Sequence, residues 1–258
     1  MVSSFHLNEL PLAQAYHQKN SNRSQNMVQA LQWEIRNRKS QSFDELIQEW
    51  QEKYQASVFH PLVQIASDRK NEDADRYVAL MTAAKLGGSA SIPMLVNLLK
   101  DRSWMMKAGA LQALAIVRHP SVQETALNPN GFSSEIILPL LHDPALVVRA
   151  EAVQAIKVLK PKGAVAALIE ALNAEENYHG GKAQWVPQKV LSAIVELKAK
   201  ETAPQLLSLL EHPRHQRDSE FLSMTVRTLE LLTGRKSKTR ATLADQIKDW
   251  KQFLSTQA

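Results

Sequence analysis

Asp143-Pro144-Ala145-Leu146-Val147-Val148-Arg149-Ala150-Glu151-Ala152-Val153-Gln154-Ala155-Ile156-Lys157-Val158-Leu159 constrains this chain more than any other stretch, because versions of it recur, each after a leucine-rich helix. A single helical hairpin of this composition has an apolar face that it cannot cover by itself. Neighbouring hairpins must therefore stack, and the stack offers a long surface to another molecule.

Four leucine-rich segments overlay: Ile92 to Asp101, Ser134 to Asp143, Val165 to Ala174 and Ala203 to His212. Leu95, Ile137, Leu168 and Leu206 are equivalent, as are Leu99, Leu141, Leu172 and Leu210, at spacings of 42, 31 and 38 residues. Uneven periods around a fixed internal pattern mean that the helices keep register while the loops vary. In the second helices, Ala108, Ala110, Leu111, Ala113 and Leu114 fall on Ala150, Ala152, Val153, Ala155 and Ile156, and Ala193 and Ile194 continue the column. A weaker unit precedes them, Pro61 to Asp68 followed by Tyr77 to Leu86, closed by Gly87-Gly88 as a helix stop.

These residues resemble the HEAT-like repeats, in particular the short variety of the phycobilisome lyases. The likeness rests on Asp143-Pro144, on Val148-Arg149 and on the seam of Ala152, Ala155, Ile156 and Leu159. It covers roughly Val58 to Leu232 and implies an all-α fold, an α-α superhelix of about five hairpins with terminal capping helices. The basic column that the resemblance implies is incomplete, since Pro187 and Leu222 stand where Arg149 does. Fold alone leaves function open.

The expected organisation is an N-terminal extension over 1–41, partly helical or flexible, and a solenoid over 42–258. Caps are expected over 42–56 and 242–255. Phe43, Leu46, Ile47, Trp50 and Tyr54 form one stripe behind Ser42 and Glu45, and Leu243, Ile247, Trp250 and Leu254 form another behind Thr242 and Asp245; both polar pairs have capping-box spacing. The end from Leu231-Leu232-Thr233-Gly234 through the second tryptophan helix also resembles the terminus of other bacterial HEAT-like proteins. In the extension, Met27, Val28, Leu31 and Ile35 make an amphipathic helix, whereas Lys19 to Gln25 reads as a polar linker.

There is no cysteine, which excludes disulfides, thiolate nucleophiles and thiolate-bound metals. No apolar run nears the roughly 18 residues that span a bilayer, and Met1 to His6 has no hydrophobic signal core. The expectation is a cytoplasmic protein with no membrane span and no cofactor. The formal charge of +5 brings nucleic acid into view. The excess lies at the two ends, and four cations crowd into Arg235-Lys236-Ser237-Lys238-Thr239-Arg240.

Arg76, Lys107 and Arg149 form a column that either contacts phosphates or pairs with acids such as Asp101 and Asp143. The repeated acid-to-base spacing of six favours a structural ladder. Trp104 and Trp185 each begin a second helix, where an aromatic either anchors a partner or staples its loop to the core. The set expected to meet a partner is Trp104, Met105, Arg149, Trp185, Arg235, Lys236, Lys238 and Arg240. The DNA-alkylation-repair glycosylases, another HEAT-like family, combine tryptophans, a basic groove and a catalytic carboxylate. Ala108, however, stands one turn beyond Trp104 where an acid is needed. Nothing identifies a bilin site. His212 and His215, flanked by Arg214 and Arg217, read as a solvated loop, and Glu175 to Lys182 as a mobile insertion. The expected function is therefore a non-catalytic protein-binding scaffold or adaptor, with a nucleic-acid-binding solenoid, in its catalytic variant a glycosylase-like repair protein, as the alternative.

Overall fold

The computed structural model describes residues 10–38, 42–117, 134–237 and 242–256. The fold is all-α apart from one β-hairpin with strands of two residues. The chain divides into two compact units, residues 1–117 and 118–258.

The first unit contains α1 (Leu10–Asn37), α2 (Phe43–Tyr54), α3 (Phe59–Ser67), α4 (Asp73–Gly87), α5 (Ile92–Leu98) and α6 (Trp104–Ile116). Helices α3 and α4 form one hairpin and α5 and α6 the next, with α4 against α6. The helix ends follow local chemistry. Asp73 and Asp75 complement the α4 N-terminus, and Gly88, at φ +49°, closes the helix in a conformation that a side chain disfavours. At α2, Ser42 and Glu45 exchange hydrogen bonds of 3.1 and 3.2 Å as a capping box. Trp50, Leu62, Ile65, Leu80, Leu95 and Leu111 are fully buried. Residues 73–98 contain an 18-residue window apolar enough to resemble a membrane span, yet 61% of that window is buried within the protein, and the Gly87-Gly88 turn interrupts the segment.

Helix α1 runs unbroken through Lys19 to Gln25, so these residues are not a linker. Further along the same helix α1 packs on α3 and α4 with Leu31 and Ile35 buried, and extending a helix from an anchored part is far easier than starting one.

The second unit contains α7 (Ser134–Ile137), α8 (Leu146–Leu159), α9 (Ala164–Asn173), β1 (Tyr178–His179), β2 (Lys182–Ala183), α10 (Trp185–Glu196), α11 (Ala203–Glu211), α12 (Ser219–Thr233) and α13 (Leu243–Ser255). Successive second helices pack on one another, α8 on α10 and α10 on α12, while α13 covers α11 and α12. The leucine-rich segment from Ser134 is shorter as an α-helix than its pattern predicts. It becomes a tight 3-10 turn over Leu138–His142. Pro139 explains this: proline is harmless at the start of α5 and α11, where Pro93 and Pro204 sit, but inside a helix it lacks a donor and clashes with the preceding turn. Ile137 and Leu141 are buried all the same. The Thr242–Asp245 capping box opens α13, whose Trp250 is fully buried.

Candidate partner-binding surfaces

The column arginines are interior groups. Arg76 is 2% exposed and donates from Nε to the Ala66 carbonyl at 3.1 Å, from Nη1 to Asp73 at 2.9 Å and from Nη2 to Asp101 at 2.7 Å. Arg149, expected among the partner contacts, is 4% exposed. Its Nε donates to Asn177 Oδ1 at 2.8 Å, Nη1 to the carbonyls of Asp143 and Pro144, and Nη2 to the carbonyl of Glu176. The correction has a plain cause: the inter-hairpin turns are full of inward-facing carbonyls, and a guanidinium fork satisfies several at once. With its donors used internally, Arg149 is not placed to meet a partner.

The same turns fix the tryptophans. Asp101 Oδ1 accepts from the Ser103 amide at 2.9 Å, and Ser103 Oγ donates to Asp73 while capping the α6 amide of Met106. Trp104, the next residue, is 49% exposed, and Met105 beside it is half-buried. In the second unit the Ala183 amide donates to Asp218 Oδ2 at 2.8 Å and the Gln184 amide to the Asn177 carbonyl at 3.0 Å. Trp185 follows and is 61% exposed. Each tryptophan thus stands on the first residue of a second helix, on backbone held by its neighbours. Trp33 is exposed as well, and the apolar stripe of Leu31 and Ile35 gives no sign of it. Its position off the stripe set by Leu31 and Ile35 is the signal that could have found it.

The cations after α12 have different fates. Arg235 donates to Asp249 Oδ2 at 2.6 Å and lies 4.3 Å from the Phe253 ring centroid and 5.4 Å from that of Trp250, so it fastens α13. Lys236 is exposed. Lys238 and Arg240 lie outside the described residues.

Two loops differ from expectation. His215 is buried, at 2% exposed, within 4.9 Å of the Tyr178 ring and 5.0 Å of the Phe221 ring. Burial, reinforced by His212 and Arg214, lowers its pKa to about 4. The segment Glu175 to Lys182 is tied to the helices: Asn177 is fully buried and donates to the Ala171 carbonyl, the Tyr178 hydroxyl donates to the Leu172 carbonyl, and Arg214 stacks over the Tyr178 ring at 5.1 Å. Gly180 and Gly181, both at positive φ, make the tight turn between β1 and β2. Among the described residues, no group of three His, Asp or Glu side chains is placed to hold a metal ion.

No family model matches the sequence, and no curated protein matches it. Among solved structures, the crystal structure of an engineered protein from a structural-genomics consortium is similar over 80% of this chain and 97% of that one. The identity is 16% and the TM-score 0.49.

Proposed function

We propose that the protein is a HEAT-like repeat adaptor that acts without catalysis in the cytoplasm and holds another protein through Trp104 with Met105, through Trp185, and through the lysines and arginine that follow Arg235. The observation that carries this reading is the exposure of two tryptophans, 49% and 61%, each fixed on the first residue of a second helix by a hydrogen-bonded turn. A large apolar side chain on rigid backbone loses little conformational freedom when covered, which is why such residues dominate binding energy.

The test compares capture of host proteins by the intact chain, Trp104→Ala and Trp185→Ala. Exposed side chains contribute little to folding, so both variants should melt with the parent. Each should hold its partner at least about tenfold more weakly, the loss expected at an interface hot spot. Unchanged capture by both variants would remove the tryptophans from the site.

A further inference from the structure

Three lysine pairs recur in this chain with no packing reason to do so. Lys160-Pro161-Lys162, Lys198-Ala199-Lys200 and Lys236-Ser237-Lys238 follow one another at intervals of 38 residues, the interval that carries Leu168 to Leu206. The leucines recur because the core requires them. Lys160, Lys162, Lys198, Lys200 and Lys236 are exposed, and none has an ion-pair partner among the described residues.

The fold brings the first two pairs and Lys236 to one edge of the second unit. Helices α8, α10 and α12 run parallel. Arg149, near the start of α8, reaches Asn177 in the turn before α10, and the Ala183–Asp218 bond joins the starts of α10 and α12. At the other end Lys157 bridges to Glu196 at 3.0 Å, across the last turns of α8 and α10. The three C-terminal ends therefore lie in a row, with axes about 10 Å apart. Within 158–163, 197–202 and 234–237 the single acid is Glu201.

Backbone conformation adds a second observation. Lys160 and Lys198 close α8 and α10 in the left-handed region, at φ +49° and +56°, where α12 uses Gly234 at φ +75°. Glycine takes this conformation with no steric cost, so lysine stands there at a conformational disadvantage. At α8 the helix dipole is already met by Lys157 in the last turn, whereas α10 has no basic residue in its last turn ahead of Lys198.

We infer that this lysine edge binds an acidic polypeptide segment in extended conformation. Successive pairs about 10 Å apart match a carboxylate on every third residue of a strand that rises roughly 3.3 Å per residue. The first two pairs and their flanks contain no arginine and no aromatic residue. A single nucleic-acid strand would find no stacking platform there, and phosphates would find no guanidinium fork. The inference rests on the adaptor reading and adds the chemistry of what is held. Trp185 stands at the opposite end of α10, about 18 Å along the helix.

The experiment is fluorescence anisotropy of a labelled peptide of about twelve glutamates, roughly 40 Å when extended, titrated with the full chain at low and at physiological salt. The intact protein should bind, more weakly as salt rises. The variant Lys160→Gln/Lys162→Gln/Lys198→Gln/Lys200→Gln should bind at least about tenfold more weakly, whereas Lys182→Gln/Lys189→Gln should bind nearly as the parent does. Lys160→Gly/Lys198→Gly guards against a folding artefact: it should melt no lower than the parent, because glycine suits both positions, and still lose affinity. Equal affinity in the edge variants overturns the inference. So does an oligonucleotide of equal charge that binds tighter than the peptide and loses that binding in the same variants. Trp185→Ala should keep the peptide, so the lysine edge and the tryptophan site fail independently.

Discussion

The Arg76 guanidinium donates to Asp101 across 2.7 Å with the two side chains 3% and 6% exposed, and it joins the second helix of one hairpin to the turn of the next. Burial alone would raise the Asp101 carboxyl, but hydrogen bonds from Arg76 and the Ser103 amide hold it below the usual aspartate range. A carboxylate depressed in the folded state stabilises above its unfolded value near about 4 and loses that stabilisation as pH falls through the folded value. Urea unfolding followed by circular dichroism should therefore show stability dropping below about pH 4, with the drop flattened in Asp101→Asn. Arg76→Ala at neutral pH should cost about 3 kcal/mol, the scale for breaking a buried pair. A loss under about 1 kcal/mol, typical of surface pairs, would contradict the buried-ladder account.

Arg149 makes the equivalent link in the second unit without an acid, through Asn177 and three carbonyls. Truncation to alanine leaves several buried acceptors unsatisfied and should cost roughly 3 kcal/mol. Arg149→Lys keeps the charge but not the fork and should recover less than half of that. Asn177→Ala should be strongly non-additive with Arg149→Ala, since each removes the other's partner. Additive losses in a double-mutant cycle would show that the two do not act together.

His215 supplies a separate acid sensitivity. Its ring packs among Tyr178, Phe221 and His212, and its Nδ1 has no hydrogen-bond partner among the described residues. Burial, then His212 and Arg214, lower its pKa to about 4, and Asp218 opposes them. The unfolded chain takes up the proton near 6.5. Stability is thus complete above that value and declines as pH falls from 6.5 toward 4, by up to about 3 kcal/mol. His215→Leu should abolish this decline while leaving the loss below pH 4 that belongs to Asp101. An unaltered profile between pH 6.5 and 4 would place the proton elsewhere.

Most of the hairpin architecture was legible in the sequence because its cause is local and periodic. Leu95, Ile137, Leu168 and Leu206 are all essentially buried, and both capping-box pairs cap their helices, since each depends on spacing within a few residues. What escaped depended on tertiary surroundings. Lys19 to Gln25 reads as a linker because helix propensity there is modest, and the covered face that stabilises α1 belongs to α3 and α4. His215 reads as solvated because its apolar neighbours Tyr178 and Phe221 come from other elements. Arg149 was recognised as part of a repeated column. That its partners are backbone carbonyls 27 and fewer residues away has no one-dimensional signature. The exposure of Trp104 and Trp185 was undecidable from spacing, since the first residue of a helix faces either way.

Helix α1 supplies the last test, because the structure treats it as part of the first unit. Leu31 is fully buried and Ile35 nearly so; Gln32 donates to Asn71 at 2.6 Å and Arg36 to Asp75 at 2.7 Å. On its other flank the Glu34 carboxylate accepts from Lys53 and from the Tyr54 hydroxyl. Burial would raise its pKa, but these bonds and Trp50 hold it below the usual glutamate range. Removing residues 1–38 uncovers the apolar surface of α3 against which Leu31 and Ile35 pack. At about 2 kcal/mol for each fully buried aliphatic side chain, the first unit should lose at least roughly 4 kcal/mol. Trp33→Ala, on the exposed face of the same helix, should change stability by less than about 0.5 kcal/mol. A truncated chain that unfolds at the same urea concentration as the full one would mean that α1 is a passenger on α3, and Leu31→Ala in the full chain, expected to cost about 3 kcal/mol, would then be silent as well.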